Sequence, residues 1–464
     1  MTSSPPSQTA PRDAVDEALA PQRLLILGFQ HVMVMYAGAV AVPLIIGMAL
    51  KLPRDQVAYL ISVDLFVSGL ITLVQTIGAP GFGVRLPIMM GVSFTAVGPM
   101  VAIGLNPQLG LPGVYGSMMC SGVIGILAAP LMARLLRLFP PVVIGTEILV
   151  VGLSLMGVSA DWAAGGLGAR DFGSPRLMGT ALLVLAVILL ITKYGKGFVR
   201  TIAVMLGIAA GMGVAMTLGM VDLTGVRDAA WFAMVLPFHF GAPRFDVWAV
   251  TAMSIVMMVT FIEATGMFIA VGDLVGRPVD RRAMVNGYRA DGLGTLIGGI
   301  FNIFPYTSYA ENVGLVGVTG VRSRWVCAVG GGMLMVMGLA PKLSALVAAA
   351  PPQVLGGAGL IMFGMISACG VRMLAAVDFT TNPYNAYVVA ISVSIGLAPV
   401  VRPELFARFP SELAPMLHSS ILLAALTAVG LNVFFNGVGP ALAPRPSASA
   451  VPPPKAEALI TASG

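Results

Sequence analysis

Six ionisable side chains stand where this sequence is otherwise apolar: His31, Asp64, Glu147, Glu263, Asp291 and Glu311. Each lies within or at the edge of a hydrophobic run of about 20 residues, long enough to cross the hydrocarbon layer of a bilayer. A carboxylate placed there is costly, so it needs a partner, a proton or a function. Such a group can accept hydrogen bonds from N–H donors, hold a cation, or take up and release a proton when burial keeps it near neutrality. A satisfied structural hydrogen bond is the expectation for Asp64 and Glu147. Glu147 can equally face a loop, a helix interface or the boundary between moving parts. A functional role is the expectation for Glu263 and Glu311. For His31, next to Gln30, three roles stay open: orienting a carboxylate, shuttling a proton, or filling its own hydrogen bonds.

The elements that must position these groups are membrane helices. The chain has 464 residues, of which 57% are hydrophobic and 10% charged, with a mean hydropathy of +0.93. So little charge cannot cover a water-facing surface, which excludes a soluble domain, a disordered chain and a coiled coil. The net charge of +6 does not point to nucleic acid, because the positive residues are scattered singly through loops. Cys120, Cys327 and Cys369 lack metal-ligand spacing. Residues 1–23, rich in Ser and Pro and carrying acids, do not read as a cleaved signal peptide; they and residues 441–464 are expected to be disordered.

Hydropathy predicts apolar segments near 24–50, 57–77, 86–104, 113–133, 139–158, 177–193 and 200–220. A second set follows near 246–272, 290–303, 304–321, 325–349, 353–371, 384–399 and 413–437. The fold class is therefore an all-α polytopic membrane protein with 14 transmembrane segments. The third and tenth segments differ from the rest: Pro87 and Pro305 open stretches rich in Gly, Ser and Thr. They read as short extended strands leading into half-helices, tolerated only where the backbone lines an enclosed cavity. The fifth and twelfth segments open on a shared pattern, Pro140-Pro141-Val142-Val143-Ile144-Gly145 and Pro351-Pro352-Gln353-Val354-Leu355-Gly356. Agreement at two positions of each half predicts two inverted seven-segment repeats. With the N-terminus inside, about two thirds of the Lys and Arg residues fall in cytoplasmic loops, so both termini are expected in the cytoplasm.

These features imply a secondary transporter. No phosphate-binding GxxxxGK[ST] loop is present to couple ATP, and no H-E-x-x-H zinc motif or serine-based motif suggests an intramembrane enzyme. An inorganic-anion transporter would want a positive site, whereas no segment carries Arg or Lys at its centre. Aromatic Phe94, Tyr306 and Tyr309 lie in the broken segments, where a ring can stack on a flat solute.

Five runs resemble the nucleobase-ascorbate transporters, also called nucleobase:cation symporter-2 permeases. They are the first-segment stretch from Gln30 to Gly38, the run RLPIMMGVSF (85–94), FIEATGMF (261–268), RADGLGT (289–295), and Glu311 to Gly320, which fits the signature [Q/E/P]-N-x-G-x4-T-[R/K/G]. The resemblance covers residues 20–440. It implies a core domain of segments 1–4 (24–133) and 8–11 (246–349), and a gate domain of segments 5–7 (139–220) and 12–14 (353–437). It further implies a homodimer in the bacterial inner membrane, with an elevator-like displacement of the core and no cofactor beyond a co-transported proton or sodium. By residue, it implies that Glu263 accepts from ring N–H groups of a nucleobase and Glu311 reads the opposite edge. Ser93, Phe94, Thr95, Tyr309 and Ala310 would line the pocket. Asp291, together with Glu263 and His31, would couple the proton, and Gln30, Asn312 and Thr319 would support the site. Most of these runs resemble the branch that carries xanthine and uric acid. Glu311 departs from it: that branch usually has Gln here, whereas uracil permeases have Glu, which leaves uracil as the alternative substrate. The uracil branch often has His four residues after its eighth-segment Glu, where this chain has Met267.

Overall fold

The computed structural model describes residues 13–410 and 413–438. Its first half runs α1 (Pro21–Ala49), α2 (Arg54–Ile77), β1 (Met90–Val92), α3 (Val97–Leu105), α4 (Gly110–Leu135), α5 (Pro141–Ala163), α6 (Pro175–Tyr194), the single turn α7 (Phe198–Thr201) and α8 (Ala203–Thr217). After the short α9 (Thr224–Asp228) come α10 (Val247–Val275), α11 (Arg281–Phe301), β2 (Tyr306–Ser308), α12 (Ala310–Thr319), α13 (Arg324–Gly338), α14 (Pro341–Ala348), α15 (Pro352–Leu374), α16 (Tyr384–Val401), α17 (Ala414–Leu417) and α18 (Ser420–Asn436).

Local sequence explains the boundaries. Proline opens α1, α5, α6 and α15, where its missing N–H and fixed φ cost nothing. Asp246 and Asp280 cap α10 and α11 by accepting from the backbone N–H groups of Ala249 (2.8 Å) and Ala283 (2.7 Å). Gly276 and Asn302, both left-handed, end the same two helices.

Among the described residues, eight helices are long and apolar enough to cross a membrane, and α13 with α14, bent by 81°, makes a ninth if counted as one span. The chain is a multi-pass helical membrane protein. Its outer surface is apolar, with Leu127, Leu182, Leu189 and Phe434 more than half exposed, as lipid contact requires. Most of the expected segments correspond to helices; besides the eleventh, bent between α13 and α14, the ninth and the fourteenth depart from expectation. The ninth was expected near 290–303 with Asp291 at its start; α11 begins at Arg281, because Asp280 caps a polar first half that hydropathy discounts, and Asp291 lies midway along it. The fourteenth, expected to run unbroken over 413–437, is interrupted at His418 and Ser419 between α17 and α18.

The disorder expected over residues 1–23 is corrected for the part described. Val15 is fully buried, Asp16 pairs with Arg324 (2.5 Å) and Arg277 (3.4 Å), and the Ser323 hydroxyl donates to the Glu17 carbonyl (2.6 Å). A buried anchor and two guanidinium partners tie the segment down before α1 begins at Pro21. Residues 1–12 and the tail at 441–464 lie outside the described residues.

The helices pack in two groups. In one, α1, α2 and α4 pack against α10, α11 and α13; in the other, α5, α6 and α8 pack against α15, α16 and α18. Contacts within the groups rest on glycine. At Gly370 of α15 a β-carbon would meet the Leu149 backbone of α5 at 2.5 Å, so the two backbones touch there. The groups meet along a seam where α10 and α5 are neighbours and where Gly266 faces Ile144 and Met373.

Candidate functional site

The site forms where the two strands cross. β1 and β2 pair antiparallel in the register Met90 with Ser308, Gly91 with Thr307 and Val92 with Tyr306. Two flanking bonds extend the ladder: Ser93 N donates to the Pro305 carbonyl (2.7 Å) and Tyr309 N to the Met89 carbonyl (3.1 Å). The strands thus satisfy each other's backbone inside the protein, the condition for extended chain at membrane depth. Each then turns into a helix: Ser93 accepts from Thr95 N (3.3 Å) as a short 3₁₀ turn, Phe94–Ala96, leads into α3, and Tyr309 precedes α12. Two helix starts therefore approach one region.

Glu263 reaches this region from the middle of α10. Thr95 Oγ1 donates to Glu263 Oε2 (3.4 Å), and the Ser93 hydroxyl also faces it. Glu311, second residue of α12, lies near enough to Glu263 for their charges to oppose each other. Both remain partly accessible, whereas Ser93, Thr95 and Tyr309 are buried and Ala310 is half-buried. Phe94 packs edge-on against Phe363 of α15, with ring centroids 5.6 Å apart and planes at 79°, so the other helix group closes one side. The Tyr309 ring lies close to both Gly38 and Gly91, and its hydroxyl donates to the Val92 carbonyl (3.1 Å). It fastens β2 and α12 to α1 and β1.

Asn312 joins α12 to α1: its Nδ2 contacts His31 Nδ1 and donates to the His31 carbonyl, each at 3.1 Å. Cys327 Sγ lies 3.7 Å from the same ring nitrogen. Two supporting expectations are not met. Gln30 turns away from His31 and donates to Thr201 Oγ1 (3.3 Å) in the other helix group, because neighbours on a helix point about 100° apart. Thr319 is two turns beyond Glu311 and holds the end of α12 through the Leu315 carbonyl (2.8 Å).

Asp291 is fully buried between α11 and α2, where Gln75 Nε2 donates to Oδ1 (3.0 Å) while Gln75 Oε1 accepts from Val84 N (3.0 Å). Its Oδ2 has no partner. Asp64 does form the structural bonds expected of it, accepting at Oδ1 from the Tyr306 hydroxyl (3.0 Å) and the Ser68 hydroxyl (3.2 Å). Glu147 does not: it is fully buried and neither oxygen has a hydrogen-bond partner. Sequence reasoning missed Gln75 and Phe363. A lone amide in the apolar run of α2 was a usable signal for the first, and nothing distinguished the second from packing.

Such a site, lined by carboxylates and with no Lys or Arg ion-paired to them among the described residues, suits N–H donors and protons. Also among the described residues, no group of three or more His, Cys, Asp or Glu side chains is arranged to hold a metal. A permease family model (Xan_ur_permease) matches residues 22–405. The chain belongs to this family, the nucleobase-ascorbate transporters. Its members are transporters and not enzymes. The uric acid transporter UacT of Escherichia coli K12 is 51% identical over 431 residues, 93% of this chain and 89% of that protein. The xanthine permease of Bacillus subtilis 168 is 43% identical over 89% of this chain and 94% of its own, and the uric acid permease PucK of the same strain 41% identical over 89% and 96%. Among solved structures, the transmembrane domain of the cyanobacterial bicarbonate transporter BicA matches with a TM-score of 0.54 at 16% identity, covering 89% of this chain and 97% of that one. Murine Slc26a9, an anion transporter, matches at 0.60 and 12% identity, covering 90% and 69%. At such identities these two speak for the fold alone.

Proposed function

We propose that this permease is a proton-coupled symporter that brings an oxidised purine, xanthine or uric acid, into the cell across the bacterial inner membrane. The observation that carries the reading is the convergence of Glu263, Thr95 and Glu311 at the paired strands. Glu263 would accept from ring N–H groups, Glu311 would read the opposite edge, and free backbone N–H groups at the two helix starts would bind ring carbonyls. Ser93, Phe94, Tyr309 and Ala310 would shape the pocket, with Asn312 and His31 holding α12. Asp291 would carry the coupling proton, since a buried carboxylate beside an amide can exist in either protonation state without moving its partner. The uric acid and xanthine permeases among its relatives support the substrate class. Glu311, the residue that departs from this branch, favours uracil as the second reading.

The architecture proposed with it is 14 segments in two inverted repeats, both termini cytoplasmic. The packing supports it: exchanging each segment for its counterpart turns the neighbours α4 and α11 into α13 and α2, α1 and α13 into α10 and α4, and α6 and α8 into α16 and α18, all of which are neighbours. Asp64 and Asp291 sit at equal distances from the starts of α2 at Arg54 and α11 at Arg281. The two helix groups would be the core and gate of an elevator, and the protein a homodimer.

One competition panel tests the substrate. In cells lacking their own permeases, uptake of labelled xanthine or urate should be suppressed by an excess of either purine and not by uracil. Suppression by uracil alone would favour the uracil symporter.

A further inference from the structure

The proposed mechanism leaves two buried acids unused, Asp64 and Glu147, and of these only Glu147 lacks a hydrogen bond. It lies on α5, is fully buried, and neither carboxylate oxygen receives a hydrogen bond. Its surroundings are specific. One turn before it, Ile144 touches Gly266, which is one turn beyond Glu263 on α10, so the two glutamates approach from opposite sides of the seam and their charges oppose each other. A structural carboxylate would be expected to have donors, as Asp64 has Tyr306 and Ser68.

Nothing packed against α5 neutralises it. From α10 only Glu263 faces Glu147, with Asp273 in the last turns of that helix; α15 carries Cys369 and Arg372 toward its C-terminal end, where Arg372 is exposed. On α6, Arg176 and Lys193 occupy the terminal turns. The helices α16 and α18 contain no Asp, Glu, Lys, Arg or His, only the exposed Tyr384 and Tyr387 of α16. Two buried carboxylates that face each other across a seam without a counter-charge resist being ionised together.

We propose that Glu147 is a second proton-handling residue of the transport cycle, sharing one proton with Glu263 across the seam between the two helix groups. The inference rests on the proton-coupled reading above. While the proton is present the seam closes without net charge repulsion. When the groups slide and the pair separates, the proton leaves to water on the side then open, the remaining carboxylates repel each other, and the seam stays parted until a proton returns. Glu147 thereby links the position of the moving group to protonation, a task Asp291 cannot perform because both its neighbours, α2 and α11, belong to one group.

The test compares wild type with Glu147→Gln, purified and reconstituted in liposomes, in two transport modes. Exchange of labelled for unlabelled purine needs no net proton movement, whereas accumulation under an inward proton gradient does. For Glu147→Gln, exchange should stay within about threefold of wild type while accumulation falls at least tenfold and its dependence on external pH flattens. Accumulation with the wild-type pH profile would overturn the proposal. Should the amide variant not reach the membrane, Glu147→Asp decides: retained accumulation with a displaced pH profile supports it, and an unchanged profile overturns it. A wild type that carries neither purine would count against the purine-symport reading instead. Infrared spectroscopy then remains decisive without substrate: a protonated-carboxyl band of wild type should be missing in Glu147→Gln, and its persistence would overturn the pairing.

Discussion

Glu263 receives one side-chain hydrogen bond, from Thr95, and keeps the rest of its acceptor capacity toward partly accessible space. An ionised carboxylate has about four lone-pair directions, so room remains for two N–H donors of a flat ring. Asp291 is held differently, by one amide whose other end is fixed to Val84. Under the proposed function that difference would separate a ligand from a titrating group, and substitution can test the separation. Asp291→Asn keeps the size of the side chain and an oxygen for Gln75, removing only the titratable charge. Accumulation should lose its dependence on external pH while the protein still reaches the membrane; a wild-type pH profile would take Asp291 out of the proton path. Gln75→Leu should be the harsher change for stability, because it removes a donor from a buried carboxylate at a cost of about 1–3 kcal/mol. The acids themselves were legible in the sequence because charge is so scarce there. Their partners were not: whether Gln30 meets His31 or Thr201 depends on how α1 is rotated against its neighbours, which the order of residues does not state.

At the scale of the elements, the two broken segments are one device. Pro87 and Pro305 prevent continuous helix, the strands repair the exposed backbone by pairing with each other, and Tyr309 locks the pair by lying flat on Gly91. A β-carbon at position 91 would come within 2.4 Å of the Tyr309 ring, which also lies close to Gly38 of α1. Gly91→Val should therefore displace α12 and Glu311, costing about 1–3 kcal/mol in overpacking and reducing uptake at least tenfold. Unchanged thermal melting and uptake would show the contact to be soft. The sequence exposed the existence of these broken segments, one in each half, through their Pro and Gly content, but not that their strands pair with each other. It misplaced the start of α11, because a polar half-helix ending in a buried Asp resembles a loop when only hydropathy is weighed.

In the whole molecule, a surface of lipid-facing leucine and phenylalanine encloses a small polar interior at which two helix groups meet. The family match shows a membrane permease, and the solved structures agree with it on the fold alone. The proposed symport adds that the interior acids exchange a proton for each cycle of purine uptake. Glu147 shows how far sequence could go: its position at a boundary was foreseeable, its lack of any partner was not, since that is a property of what surrounds it on five helices. The most direct measurement is accumulation of labelled xanthine or urate in liposomes containing the purified protein, under an imposed inward proton gradient. The account predicts accumulation above the external concentration, collapse on adding a protonophore, and none with Glu263→Gln. Accumulation that ignores the gradient, or that survives loss of the Glu263 carboxylate, would contradict it.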